Sequence, residues 1–326
     1  MKGTAPILVA LLATSIGAQE TVGRFTVPGV RARTPWQNDS WASDTDRFFT
    51  NAFELSAAFA AEPDTLSWLP FRGTPDAATH ELAIGQDMYT PEDITLAIPD
   101  PEDRPYAGWL HLSYRNAALT LNADRRDHLD TWELELGVVG PSSLADDLQI
   151  QIHEMVDAPR PSGWSNQLRD EPGFVLGYER RFRTWYHEHY LGPFSTDLIG
   201  LIGGRLGNVE TSGRLGTTLR VGCNLPRHFG AALRPVGDAP QRVHLEAGIE
   251  GRVVLRNIFL DGNTWRSGPS VDRNVFVSDF RVGLVWEPTP RIRLSIVETF
   301  RSPEFDSPSP VGDPTHFTSI QLDLIF

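Results

Sequence analysis

The sequence is nearly devoid of cysteine: Cys223 is the single one in 326 residues. No intrachain disulfide can form, so an exported chain of this length has to be held by ordinary packing, by a sheet or by a membrane. Long apolar runs are missing as well. Beyond the first residues nothing approaches the roughly eighteen consecutive apolar residues that carry a helix across a bilayer. A helical membrane protein is thereby excluded. A β-barrel is not, because its strands alternate and never look hydrophobic in a sliding window. Positive charge is scarce: 29 Lys and Arg against 42 Asp and Glu leave a formal charge of −13. That balance argues against a nucleic-acid partner and is compatible with a surface that meets divalent cations. There is also no Gly-rich phosphate loop, CxxC pair, HExxH or GxSxG, so the common signatures of nucleotide binding, zinc chemistry and serine hydrolysis are absent.

What is present begins with MKGTAPILVALLATSIGAQE. Lys2, a short apolar stretch from Ala5 to Ala13 and small residues up to Ala18 form a secretory leader over residues 1–18. Residues 19–326 are then expected to form one exported domain. From residue 48 onward, segments of about ten residues alternate between apolar and polar side chains. Leu110, Leu112 and Tyr114 alternate with His111, Ser113 and Arg115, and Trp132, Leu134, Leu136 and Val138 with Glu133, Glu135 and Gly137. Val243, Leu245, Ala247 and Ile249, then Phe276, Phe280, Val282, Leu284 and Trp286, keep one parity each. Tight polar connections (NADRRD, 122–127; EPTPR, 287–291) alternate with long Pro/Gly/Asp stretches at 93–107, 225–240 and 302–315. Short turns at one end and long loops at the other are the asymmetry of an outer-membrane barrel. The final segment HFTSIQLDLIF puts Ile320, Leu322, Leu324 and Phe326 on one face. The expected fold is all-β: an antiparallel up-and-down transmembrane β-barrel in the bacterial outer membrane. Trp109, Trp132, Trp185, Tyr186 and Trp286 are expected at its aromatic girdles.

One segment resists this pattern. DDLQIQIHEM (146–155) reads as a strand by twos and as a helix by threes and fours. Gly140-Pro141 ends the preceding strand, Ser142 or Ser143 can cap a helix, and Asp146 falls in its first turn. A short extracellular loop helix near 143–156 is therefore expected, with Gln149 and His153 one turn apart on one side and Leu144, Leu148 and Ile152 packed on the barrel rim.

Polar groups concentrate in WQNDSW (36–41), DTDRFFTN (44–51), QDMYTPEDI (86–94), PEDRPYAGW (101–109), GPSSLADDLQIQIHEM (140–155) and PSGWSNQLRDEPG (161–173). In content and order these resemble the outer-membrane lipid A 3'-O-deacylase family, over most of residues 36–173. DRPYAGW and GW..QL..EP are its specific motifs, and Ala52 departs from the glycine expected in FFTNAF. The resemblance implies a barrel of about 12 strands and a calcium-dependent carboxylic ester hydrolase that removes the 3'-O-linked acyloxyacyl group of lipid A in lipopolysaccharide. Its active site would lie between the barrel wall and the loop helix. His153 would activate water, Asn38 and Asp39 match the ND pair, Thr50 the hydroxyl position, and Arg104 the basic position before PYAGW. Asp39 would hold Ca2+. Arg104, Tyr106 and Gln149 would contact the substrate.

The chemistry is consistent with those residue types. A histidine is the natural base near neutral pH. A hard cation held by oxygen ligands stabilises an oxyanion. An arginine grips a phosphate in bidentate fashion. The alternatives kept open are an outer-membrane phospholipase and a non-enzymatic porin-like barrel. A monomer is expected. His187 and His189 read as rim or lumen residues, and Arg180, Arg181 and Arg183 as a basic knot beside Trp185 that meets either phosphates or the interface.

Overall fold

The computed structural model describes residues 20–22, 25–27, 31–38, 48–62, 68–70, 75–191, 194–230, 234–235, 241–289, 291–307 and 315–325. The expected leader, Asp39 and the terminal Phe326 lie outside them. Twelve antiparallel strands close into a barrel. In chain order they are β1 (Arg31–Asn38), β2 (Phe48–Ala61), β3 (Ala77–Thr90), β4 (Ala107–Thr120), β5 (His128–Val139), β6 (Glu171–Leu191), β7 (Phe194–Gly207), β8 (Glu210–Cys223), β9 (Arg242–Asn257), β10 (Phe276–Thr289), β11 (Ile292–Arg301) and β12 (Thr315–Ile325). β12 pairs with β1 and closes the ring. A separate three-stranded sheet joins Glu20–Val22, Phe25–Val27 and Arg234–Pro235.

The alternation decides which way each side chain faces. Leu82, Ile84, Leu112, Leu134, Leu136, Leu245, Ile249, Phe280, Leu284 and Ile296 are exposed on the outer wall, where acyl chains replace water. Their neighbours of opposite parity point inward and meet as ions. Arg115 bonds Glu54, Glu81 and Glu133, Arg205 bonds Glu133, Glu135 and Glu210, and Asp279 takes Arg252 and Arg301. Side chains cross the lumen throughout, as expected for a barrel of this size.

The long 225–240 stretch does not join the other long loops. Counted along the strands, it opens at the same end as the tight connections 121–127, 192–193 and 290–291. The reason lies in its first residues, which fold into that mouth. Phe229 packs with Ala77, Leu119, Leu129 and Ile199, while Arg183 and Arg220 both donate to the Pro226 carbonyl, at 3.3 and 3.0 Å. Trp109 also departs from expectation. It lies inside the opposite mouth with Val139, Leu168, Val175, Val209, Ile258 and Phe259, not at a girdle. Trp185 and Trp286 are exposed on the outer wall, as expected of girdle residues.

The basic knot is consumed internally. Arg180 binds Asp130, Arg181 binds Glu179, and Arg183 bridges Asp127 and Asp197. His187 stacks against Trp185 at 6.1 Å, and the His189 side chain lies outside the described residues.

Candidate active site

DDLQIQIHEM is a helix. Within the 140–170 connection a 3-10 turn at Pro141–Ser143 leads into α1 (Ala145–Val156). Asp146 and Asp147 occupy its first turn, where the helix dipole favours anions. Neither serine caps it. The capping position is Leu144, in the left-handed region at φ 59°, which offers no side-chain acceptor; the Asp147 N–H donates instead to Asp146 Oδ1 at 2.9 Å. Ser142 instead donates through its N–H and its hydroxyl to Asp170.

The helix lies against the outside of the wall, over β3 and β4. Gly108 has the parity of the exposed Leu112, and a Cβ there would stand 2.1 Å from Ser143 Oγ and 2.4 Å from the Ala145 Cβ. Only glycine leaves room for the helix at that point. Gln86, on the parity of Ile84, donates to the Ser143 carbonyl at 2.5 Å. Met88, Tyr106, Ala145 and Trp164 form a buried apolar cluster beneath. Gly163 keeps Trp164 in place, since a Cβ would meet the Tyr106 ring at 2.4 Å.

The stripe that faces the wall is Ala145, Gln149 and His153. The expected rim packing holds in part. Leu148 packs against the apolar cluster of Met88, Tyr106, Ala145 and Trp164, and Ile152 is half-buried. Leu144 is 55% and Met155 77% exposed, and Val156 is exposed beside them, toward surroundings that are apolar around a membrane barrel.

Two polar groups under the helix have their chemistry set by their partners. His153 Nδ1 is 2.5 Å from the Pro159 carbonyl. A carbonyl only accepts, so Nδ1 carries the proton and Nε2 has the lone pair of a base. Gln149 is 2% exposed, and its Oε1 accepts from Trp164 Nε1–H at 2.7 Å. Indole N–H only donates, so the amide cannot be flipped. The Gln149 NH2 group then points elsewhere, buried and without a hydrogen-bond partner among the described residues.

The remaining candidates divide. Tyr106 is buried against Trp164 with ring centroids 4.9 Å apart, and its hydroxyl donates to the Ile94 carbonyl at 3.0 Å. Further bonds from Ser162 N to Ile94 O and from Asn166 Nδ2 to Ala97 O zip the 91–106 loop to the segment after α1. Asn38 pairs in register with Asn51 of β2 and Thr318 of β12. Thr50 is the extra residue of a β-bulge between the Phe49–Tyr89 and Asn51–Met88 pairs; bulges re-aim side chains next to active sites. Asn51 is buried although it has the parity of the exposed Phe53. One row of the wall therefore runs Asn38, Asn51, Met88, Gly108 to the helix.

Arg104 is not brought there. It is 0% exposed, stacked 4.8 Å from the Tyr89 ring centroid and 3.7 Å from Glu304. Tyr89 follows Met88 and so faces the lumen, across the wall from α1. Burial lowers the guanidinium from its usual pKa, with Glu304 opposing. Burial raises the neighbouring Asp103 carboxyl, although the N–H groups of Glu92 and Arg104 that it accepts pull the other way. Sequence reasoning missed Gln86, Gly108 and Trp164. The last two sit in the specific motifs DRPYAGW and GW..QL..EP, where they carry no chemistry of their own.

The family model described as outer membrane protein LpxR matches residues 6–326. Among solved structures, LpxR from Salmonella typhimurium superposes with a TM-score of 0.72 at 17% identity, covering 91% of this chain and 100% of that one. The beta domain of the Bordetella autotransporter BrkA gives a TM-score of 0.47 at 11% identity, covering 92% of this chain and 100% of that one. No curated protein matches the chain.

Proposed function

The chain belongs to the LpxR family of bacterial outer membrane proteins, the lipid A deacylases its motifs resemble, and from that footing we propose that it hydrolyses the 3'-O-linked acyloxyacyl ester of lipid A in the groove between α1 and the outer wall. The observation that carries this reading is the paired orientation of Gln149 and His153. Both are buried on the wall-facing stripe, one with its amide NH2 aimed by Trp164 and the other with its tautomer set by Pro159.

In this reading His153 Nε2 takes a proton from water as the water oxygen attacks the ester carbonyl. The Gln149 NH2 donates to the oxyanion that develops on the carbonyl oxygen. The same imidazole then returns the proton to the departing sugar oxygen, so the acid is released and the sugar hydroxyl is restored. The wall-facing stripe of α1 lies against the lipid-facing side of the barrel, which suits a substrate that delivers its acyl chain from the outer leaflet.

Asn38, Asp39, Thr50 and Asn51 are all oxygen donors, a set that suits a hard divalent cation better than zinc or copper. These residues would hold Ca2+, which when bound would add positive charge beside the oxyanion. Among the described residues no group of three His, Cys, Asp or Glu could hold a metal, so the ligand set would rest on Asp39 with neutral oxygens. Arg104 has no phosphate-gripping role in this proposal, since Glu304 and the Tyr89 ring already occupy it. A conducting role has less support, given the side chains that cross the lumen.

Mass spectrometry of lipid A from cells expressing the protein tests the reading. Loss of the mass of the 3'-linked acyloxyacyl group is expected with calcium present, and no loss with His153→Ala. Unchanged acyl chains in the calcium-supplied parent would sink it.

A further inference from the structure

A polar constellation on the outer wall at β11 and β12 is not used by the hydrolytic groups. On β11, Glu298 has the parity of the exposed Ile296 and Phe300, so its side chain faces outward. On β12, His316 and Thr318 share the outward parity opposite Asp323 and Phe317, which are buried inside. His316 Nε2 lies 2.5 Å from Glu298 Oε1, and Thr318 Oγ1 donates to Glu298 Oε2 at 2.9 Å. Both ionisable side chains are 29% exposed.

The surroundings make this an unusual place for a carboxylate. Toward the helix-bearing end, the Phe280 and Phe300 rings continue into His316, which stacks on Phe300 at 4.4 Å. Toward the other end, the next outward row is Leu284, Ile296 and Ile320. Charge on the lipid-facing wall of a barrel is destabilising in a depth-dependent way and is kept where it serves a function.

The row containing Glu298 supplies the function. It runs Val282, Glu298, Thr318, Asn38, Asn51, Met88, Gly108 across β10, β11, β12, β1, β2, β3 and β4. Glu298 and Asn51 thus lie in one ladder row on the same face, with Asn38 two strands, or about 10 Å, from Glu298. We propose that Glu298, held by His316 and Thr318, is a headgroup-positioning subsite that accepts hydrogen bonds from the sugar hydroxyls of a glycolipid whose ester lies at α1. The proposal rests on the reading of the chain as a lipid A hydrolase and names a second point at which that substrate is held. The ligand chemistry follows from charge. A carboxylate with one oxygen at an imidazole and the other at a hydroxyl accepts from donors and repels phosphate, so the subsite selects the uncharged, hydroxyl-bearing part of the headgroup.

The test uses the full chain in detergent micelles, with binding read by intrinsic tryptophan fluorescence so that no turnover is needed. The probes are lipid A and dimyristoyl phosphatidylcholine, which has acyl chains and a phosphate but no hydroxyl or N–H donor. Glu298→Leu matches its apolar neighbours on the wall and leaves folding intact, which heat-modifiable mobility on gels confirms. It is expected to weaken lipid A binding by roughly tenfold, the scale of a hydrogen bond to a charged group, with phosphatidylcholine binding unchanged. Glu298→Gln, which keeps one acceptor oxygen, recovers most of the loss. In turnover the Leu variant raises KM and leaves kcat unchanged. Unaltered lipid A affinity in Glu298→Leu, an equal loss toward phosphatidylcholine, or a parent with no preference for lipid A would each overturn the proposal. A parent that binds lipid A but leaves its esters intact would refute the hydrolase reading alone, and the subsite would still be decided by the binding data.

Discussion

Gly108→Val is the sharpest test of the site's architecture. The first atom of any side chain at 108 would sit 2.1 Å from Ser143 Oγ and 2.4 Å from the Ala145 Cβ, where ordinary contact begins at 3.4 Å. The start of α1 must therefore retreat by about 1.3 Å or more. A retreat of that size takes Gln86 Nε2 and the Ser143 carbonyl, now 2.5 Å apart, out of hydrogen-bond range. It strains the 2.7 Å bond between Trp164 and Gln149 in the same way. Overpacking of this kind costs about 1–3 kcal/mol, and each buried hydrogen bond lost adds roughly 0.5–1.5 kcal/mol. A total of about 1.5–4.5 kcal/mol lowers the docking equilibrium constant of α1 by roughly 10- to 1,600-fold, at 1.4 kcal/mol per decade. The barrel is spared, because the ladders of Gly108's strand to β3 and β5 do not involve the added side chain. The expected result is unchanged heat-modifiable mobility, faster proteolytic cleavage between residues 157 and 162, and deacylation reduced by at least an order of magnitude. A Gly108→Val protein with a protected loop and full activity would show that α1 does not dock on the wall at β4.

Other perturbations separate the roles of single groups. Gln149→Ala is expected to lower kcat by about 10²–10³, the range for removing one oxyanion donor; Gln149→Glu, which presents acceptors where the NH2 stood, lowers it at least as far. Rates on purified lipid A read this directly, and a fully active Gln149→Ala protein would remove the amide from the chemistry. Arg104→Ala takes one of two guanidinium groups from the buried Glu304 carboxylate, and Arg301 stays at 3.6 Å, so the cost falls below the roughly 3–5 kcal/mol of a fully stranded buried charge. Arg104→Met with Glu304→Gln should recover most of that in urea titrations, and neither variant should change the preference between mono- and bisphosphorylated lipid A. Chelation of divalent ions is expected to abolish turnover and calcium to restore it, as judged by lipid A mass spectra; activity that persists through exhaustive chelation refutes the metal. In planar bilayers the parent should show no steady porin-like conductance, because Arg115, Arg205 and their carboxylates span the lumen.

Sequence alone determined the strands and the faces they present. With a side-chain period of two, the parity of Leu110, Leu112 and Tyr114 or of Ile320, Leu322 and Leu324 settles which residues share a face, and the turn chemistry sets antiparallel order. An up-and-down barrel and the helix at 145–156 were legible on that basis, as was the company of Gln149 and His153 on one side of the helix; the count of twelve strands came from the family resemblance. What pattern cannot record is which medium an apolar face meets. The stripe of Leu144, Leu148 and Ile152 was read toward the rim; Leu148 does pack there, yet Leu144 is left exposed with Met155 and Val156, because lipid as well as a protein core accepts apolar groups. Nor does parity survive the end of a strand. Whether Arg104 falls inside the barrel and Tyr106 outside depends on how the 91–106 loop returns to β4, which tertiary contacts with Tyr89 and Glu304 on one side and Trp164 on the other decide. Residues distant in sequence met only through closure of the ring. Glu298 and Thr318 stand in the same row as Asn38 because β12 pairs with β1, a register set by the whole circuit of twelve strands and invisible in any one of them.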